Sequence, residues 1–552
     1  MDTVLQAIEG WVQREPERVF AAFVTPGRDV SISYGQLWKE ANVAAALYRR
    51  AGASQGSIIV IMLKHSPRLY SSFLGAMICG AIPTFMPYPT PKQDETIFFE
   101  GHAALFERMR PDVVVTFEDL ISKVRRIVSE ATYVLSETDF MNQGTDPVQS
   151  AATFKKPRQD DIAFLQHSSG TTGLKKGVML THRAVLSQVR DYVPSIELNA
   201  DSTIVSWLPL YHDMGLIACL MLPLITGAHL VHMDPFEWVS NPLSLLEKTA
   251  DYDGTHIWVP NFALNHMVVA RKRWRGPPRD LSTLVRIINC SEPCKAQSMM
   301  SFADTFADWG LKRQALQVCY AMAETVFAIT QSLPGPDWNI LKASPSALAD
   351  GRYEEARNLE PSHLLVSCGA PISNMTIEIR NSEGKVCSDG TIGEICATGA
   401  SVYDGYYKRP DATALKFRDG WHHTGDLGFL HRGELFVIGR IDDLLIVRGR
   451  NFYAHEIESI VCGVEGVKPG RATVFAIDNE SLGTQESICL FEPSEDSESQ
   501  DVRRQIKMAV ESHSGLILGK VVAVQTGFLI KTTSGKISRE ANRRRFLESS
   551  LA

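Results

Sequence analysis

Long apolar runs, clustered cysteines and an excess of positive charge are all missing from this sequence. Its most apolar stretch, residues 216–230, is too short to span a bilayer and is broken by Pro223, Gly227 and His229. No transmembrane segment is expected. The ten cysteines are dispersed, and only Cys290 and Cys294 lie close. One C-x-x-x-C without a second pair is a poor zinc pattern, so the cysteines read as reduced thiols of a cytoplasmic protein. Residues 1–17 carry Asp2, Glu9, Glu15 and Glu17 and no long apolar run, which argues against a signal peptide. Lys plus Arg is 56 against 63 Asp plus Glu, a net charge of −7. Neutralising phosphates along a nucleic acid needs a clustered basic surface, so nucleic acid is not an expected partner. No internal repeat is evident. What remains is ordinary globular material, 44% hydrophobic and 22% charged, and 552 residues exceed one core.

The first half alternates helical and strand-like segments. Helical patterns cover residues 33–50 and 66–79, and continuous apolar runs cover 57–63 and 111–117. Similar runs follow at 162–166, 205–208, 255–259 and 285–289. Apolar strands separated by helices are the pattern of mostly parallel sheets in an α/β protein. From residue 376 the strands become short and alternating, with Gly and Asp between them, as in an antiparallel β-unit. After residue 440 a strand, a helix, two strands, a helix and an apolar run read as a small α+β unit. The expected organisation is a large domain, residues 1–440, with a β-subdomain near 370–440, and a small C-terminal domain, residues 441–552.

The strongest local signal is S-S-G-T-T-G-L-K-K-G at residues 168–177, placed between an apolar strand and a helical segment at 184–190. Its glycines allow close backbone approach. Ser168, Ser169, Gly170, Thr171, Thr172 and Gly173 offer hydroxyl and N–H donors, and Lys176 adds charge, so the loop suits a polyphosphate. It lacks G-x-x-x-x-G-K-[ST] and is not a Walker loop. Further along come W-L-P-L-Y-H-D-M-G (207–215), Y-A-M-A-E-T (320–325) and W-H-H-T-G-D-L-G (421–428). G-R-I-D-D (439–443), R-G-R-N (448–451) and K-T-T-S-G-K-I-S-R (531–539) complete the set. Singly each reads as a turn or a capped helix, and Asp426 alone as an Asx-turn residue; their joint order is the informative fact.

In that order the motifs resemble the adenylate-forming superfamily, which holds acyl-CoA synthetases, nonribosomal-peptide adenylation domains and luciferase-like enzymes. The similarity is greatest to the fatty acyl-AMP ligases, through W-V-P-N-F-A (258–263), S-E-P (291–293), V-S-C-G (366–369), G-R-N-F-Y (449–453) and an insertion-like segment at 350–362. The resemblance implies two half-reactions: a carboxylate attacks the α-phosphorus of ATP, giving acyl-AMP and pyrophosphate, and a thiol then takes the acyl group. It implies Lys536 as the mobile catalytic cation bridging carboxylate and α-phosphate. It implies Glu324 as a Mg²⁺ ligand with Thr171. Asp426 and Arg440 fall at the ribose, and Tyr320, Ala321, Met322 and Thr325 at the nucleotide. Ser291, Glu292 and Pro293 fall at the adenine edge. Asp442 matches a hinge about which the small domain would rotate between half-reactions. His212 matches a position at the mouth of the acyl pocket, and a hydrogen-bonded structural histidine stands beside that reading. His422 and His423 read as turn residues without a catalytic role. Lys175 departs from the family, standing where proline is common.

A pocket wall is expected from Leu216, Pro260, Asn261, Phe262 and Cys290. It is apolar, without an evident Asp for an amino group, which favours an acyl chain as substrate. The insertion-like segment favours a carrier-protein phosphopantetheine as acceptor. Alternatives are an acyl- or aryl-CoA ligase and, from a different class, a non-catalytic nucleotide-binding scaffold of the same fold.

Overall fold

A computed structural model describes residues 2–25, 27–89, 95–141, 156–168, 175–335, 337–357, 362–447, 450–479, 484–494, 499–531 and 537–549. Two parallel sheets carry the first three-quarters of the chain. The smaller has four strands, in the order Ile82–Phe85, Ile58–Met62, Val113–Thr116, Tyr133–Ser136, all parallel. Every residue of Ile58–Met62 is buried, and burying one such aliphatic side chain is worth about 1.5–3 kcal/mol. Ser33 caps the helix Tyr34–Arg50 through its Oγ, which accepts the Gln36 N–H. That helix lies against Arg68–Ile78 so closely that a Cβ on Gly75 would come within 2.6 Å of the Ala41 carbonyl oxygen.

The larger sheet has nine strands. Its parallel core runs Val19–Phe23, His229–His232, Thr203–Ser206, His256–Val259, Arg286–Asn289, Leu316–Ala321. Antiparallel strands close both edges. Parallel strands all end on the same side, and ligands of open α/β sheets bind beyond those carboxyl ends. Here Pro260, Cys290 and Met322 follow three adjacent strands directly, with Ser291 next after Cys290.

The apolar strand at 162–166 does not join either parallel sheet. Ile162–Ser168 pairs antiparallel with Lys176–Thr181, and the helix His182–Ile196 follows only then. The glycine- and threonine-rich segment therefore connects two strands of a hairpin, where a strand-to-helix loop was expected. The reason is visible in the residues after the loop: Gly177, Val178 and Leu180 are buried, a strand pattern rather than a helical stripe.

A five-stranded antiparallel sheet follows, built on Met375–Arg380, Gly393–Gly399, Trp421–His431 and Glu434–Arg440. Beyond it, residues 445–546 hold apolar clusters of their own around Val474, Ile506, Ile488 and Phe546. Tyr453 nonetheless packs with Phe429, Phe436 and Ile438 of the preceding sheet. No helix among the described residues is long and apolar enough to cross a membrane.

Candidate active site

Asp426 sits on the strand Trp421–His431, directly across from Arg440 on Glu434–Arg440. Its Oδ2 accepts the Tyr320 hydroxyl at 2.6 Å, and its Oδ1 lies 3.3 Å from Arg440 Nε. The Asp426 N–H donates to Thr424 Oγ1, which fixes the turn. Burial pushes the Asp426 carboxyl above its ordinary range, and Arg440 and the Tyr320 hydroxyl pull it back. Burial, and next the Asp426 charge, holds the Tyr320 phenol far above its usual value, so its hydroxyl stays a donor.

Glu324 lies in the short turn Ala323–Thr325 after the strand that carries Tyr320. Its Oε1 accepts the Tyr406 hydroxyl at 2.7 Å, leaving Oε2 for another partner. The next turn residue but one, Val326, has φ +66°, a conformation unfavourable for a β-branched side chain. It is fixed by the Met322 N–H to the Phe327 carbonyl and by the Phe327 N–H to Gln188 Oε1. Ser291 has φ +70°, so the S-E-P turn is strained as well. Backbone strain of this kind gathers at functional sites.

Lys176 enters from the hairpin, its Nζ 5.0 Å from the centre of the Tyr406 ring. Desolvation lowers its pKa, Glu324 raises it, and the neighbouring Lys416 and Arg409 lower it further. The adjacent Lys175 lines a pocket together with Lys176, His167, Arg108, Leu105 and Tyr407. Burial pulls its amine down to about 8. His167 lies 5% exposed, and neither ring nitrogen has a hydrogen-bond partner among the described residues. Lys175 thus lines a pocket whose lining holds no carboxylate, while Lys176 has Glu324 to offset its charge.

The structure brings Lys176, Tyr320, Glu324, Asp426 and Arg440 within electrostatic reach of one another, and Ala321 and Met322, next to Tyr320 in the chain, are partly exposed. Thr325 is not presented there: it is fully buried, and its hydroxyl donates to the Met322 and Phe327 carbonyls. Asn261 is also spent internally, donating to Ser298 and accepting from Asn289 and from the Lys295 N–H. Phe262 is 43% exposed and packs against Trp207 and Trp238, which themselves stack at 3.8 Å. Its N–H donates to Glu292 Oε1. Leu216 and Cys290 are buried, and the Cys290 thiol lies 3.0 Å from Met214 Sδ. Leu216 belongs to a fully buried π-helix, Met214–Met221. Gly215 opens it because a Cβ there would lie 2.3 Å from the Pro209 carbonyl oxygen. His212 starts this segment, its carbonyl accepting the Leu216 N–H. Asp442 is exposed in the turn Ile441–Asp443. Ser169, Gly170, Thr171, Thr172, Gly173 and Lys536 lie outside the described residues, as does the side chain of Ser168.

His422 and His423 are not turn residues; both are buried on a strand. Tyr406 and Lys416 escaped the sequence reading. Lys416 ends the helix Pro410–Lys416, and a Cβ on Gly425 would lie 2.8 Å from its Nζ. The only sequence hint for Tyr406 was an aromatic pair after glycine.

The AMP-binding enzyme family matches residues 8–407, more than half of the chain. This chain is an AMP-binding enzyme. ATP is the nucleotide used by enzymes of the family. The chain is similar to a medium-chain-fatty-acid–[acyl-carrier-protein] ligase of Moorena producens, at 28% identity over 94% of this chain and 90% of that one. It is similar to a putative fatty-acid–CoA ligase of Mycobacterium tuberculosis, at 28% identity over 93% and 91% of the two. The solved fatty acid AMP ligase of Legionella pneumophila superposes with a TM-score of 0.75, at 28% identity, covering 100% of this chain and 96% of that one. As an AMP-binding enzyme, this chain has Asp426 and Arg440 outside the matched residues, with Asp426 hydrogen-bonded to Tyr320 inside them and Arg440 paired to Asp426.

Proposed function

We propose that this AMP-binding enzyme activates a fatty or other apolar carboxylic acid with ATP and passes the acyl group to the phosphopantetheine thiol of a carrier protein. The observation that carries the reading is Asp426, held between Tyr320 and Arg440 and within electrostatic reach of Glu324, which in turn faces Lys176. An ionised carboxylate held in place accepts both hydroxyls of a ribose. Lys176 and Lys416 then face the phosphates, where charge grows as the acid attacks. The Glu324 carboxylate is a hard oxygen donor and fits Mg²⁺, with Thr171 the expected second ligand; the ion would supply charge neutralisation on the phosphates. Lys536 is the group assigned to bridge acid and α-phosphate. Lys531 and Ile537 pair with each other on either side of it.

The small C-terminal domain, residues 441–552, is assigned a rotation about Asp442 between the half-reactions. Two contacts bear on it. Lys295 Nζ donates to Ser459 Oγ at 2.6 Å, and His363 Nδ1 lies 3.0 Å from Glu456 Oε1. His363 begins the strand His363–Val366, which pairs with Ile340–Ala343 across the insertion-like segment. That tie supports restricted rotation and so a carrier-protein acceptor. The reading with free CoA as acceptor is supported by the similarity to the putative fatty-acid–CoA ligase. Thioester assays with CoA against a holo carrier protein separate the two: acyl-carrier product in excess supports the proposal, and acyl-CoA alone overturns its second half.

A further inference from the structure

Strand pairing places three metal-ligating side chains together on the antiparallel sheet, outside the set of residues assigned to the nucleotide. Glu394 and Cys396 are two residues apart on Gly393–Gly399 and so share a face; His423 is the register partner of Cys396 on Trp421–His431. His423 Nδ1 lies 2.9 Å from Glu394 Oε2 and 3.4 Å from Cys396 Sγ. Among the described residues this is the one group of three such ligand atoms that all fall within 4.8 Å of one another. Cys396 is fully buried and His423 is 8% exposed. Tetrahedral zinc with bonds of about 2.0–2.3 Å separates its ligand atoms by roughly 3.3–3.6 Å. The His423–Cys396 spacing of 3.4 Å falls in this range, and the His423–Glu394 spacing of 2.9 Å is a few tenths of an ångström shorter, as expected for ligands drawn together by a hydrogen bond.

We propose that Glu394, Cys396 and His423 form a zinc-binding site. A thiolate, an imidazole and a carboxylate are zinc's preferred donors, and a harder ion such as Mg²⁺ gains little from sulfur. The fourth corner falls to water. Glu378 faces Cys396 from the strand Met375–Arg380, but Arg380 holds its carboxylate at 2.7 and 2.9 Å. With the thiol ionised, Glu378, Glu394 and Cys396 stand against Arg380 and Arg418, leaving that face negative.

The site is coupled to the nucleotide turn. Glu394 Oε1 accepts the Gly425 N–H at 3.0 Å, and Thr424 Oγ1 donates to the Ile395 carbonyl at 2.8 Å while accepting from Asp426 N–H. The oxygen that faces His423 is Oε2, so a metal held there leaves Oε1 on the Gly425 N–H and ties the site to the turn that carries Asp426.

The test uses the full chain, freed of metal, titrated with Co²⁺ and then Zn²⁺. The expected result is a thiolate-to-cobalt charge-transfer band saturating at one ion per chain and displaced by zinc. The band is lost in Cys396→Ser, while His423→Gln and Glu394→Gln each weaken cobalt binding by about 10–100-fold. No such band in the intact chain, or an undiminished band in Cys396→Ser, overturns the proposal. Should Cys396→Ser fail to fold, an unchanged titration of His423→Gln overturns it equally. None of these readouts involves acyl activation, so the outcome is independent of the proposed reaction.

Discussion

The two ends of the candidate nucleotide site are built in opposite ways. At the ribose end the protein answers its own charges: Asp426 is paired with Arg440 and takes the Tyr320 hydroxyl before any ligand arrives. At the expected phosphate end Lys176 is drawn to Glu324 but repelled by Lys416, and the partly buried Lys175 shares a pocket with His167 and Arg108 that has no carboxylate among its lining residues. The first arrangement preorganises an acceptor at little cost. The second keeps desolvated positive charge in store, at a cost in stability that a bound polyanion would relieve. Rigidity at one end and unmet charge at the other suit a molecule whose sugar must be oriented and whose phosphates must be pulled apart.

The largest effect expected is at the phosphate end. Lys536→Ala should lower acyl-AMP formation by about 10³-fold while thioester formation from supplied acyl-adenylate stays within a few-fold, since the cation serves the transition state of the first step alone. Equal loss in both assays would break the division of labour. Next is the ribose end. Asp426→Asn leaves the shape intact but removes a charged acceptor, and hydrogen bonds to charged groups are worth about 1.5–3 kcal/mol. The KM for ATP should rise by about 10–100-fold, read from initial rates of pyrophosphate release.

A smaller effect concerns stability and has the opposite sign. A lysine with its folded pKa lowered to about 8 from 10.5 opposes folding below pH 8, and that penalty fades as pH rises toward 10.5. Lys175→Met should stabilise the chain by about 2 kcal/mol at pH 7, with the gain vanishing above about pH 10, measured by urea unfolding. The smallest effect is a displaced pH profile. The proposal assigns ionised Asp426 to the ribose of ATP, and Arg440 counters the rise that burial imposes on its carboxyl. Arg440→Met should move the acid limb of kcat/KM for ATP to higher pH by at most about 1 pH unit, because the guanidinium is half-exposed and screened. Asp426 correspondingly favours the folded chain at acid pH, and that contribution is lost as pH rises through its raised value.

Much of this was readable in the residues, and what was not has physical reasons. Apolar runs announced the parallel strands, because strands buried on both faces need no alternation, and the order of motifs singled out Asp426, Glu324 and Lys176, which the structure brings near one another. The hairpin after residue 168 was hidden because Lys176–Thr181 is short and leads straight into a helix. Tyr406 and Lys416 were hidden because neither lies in a distinctive run and both reach the site from across the fold. Thr325 and Asn261 stand in the right motifs, but the side-chain hydroxyl and amide are consumed by nearby backbone and neighbours, which sequence order does not reveal. Likewise no spacing of cysteines pointed to Cys396. Its partners Glu394 and His423 meet it through strand register, and C-x-x-x-C reading looks along the chain.

Acid-dependent ATP–pyrophosphate exchange tests the central claim most directly. With a panel of carboxylic acids of differing length and polarity, the intact chain should return labelled pyrophosphate into ATP for at least one apolar acid and for none when acid is omitted, without any thiol present. No exchange with any acid, or exchange indifferent to acid, would contradict it.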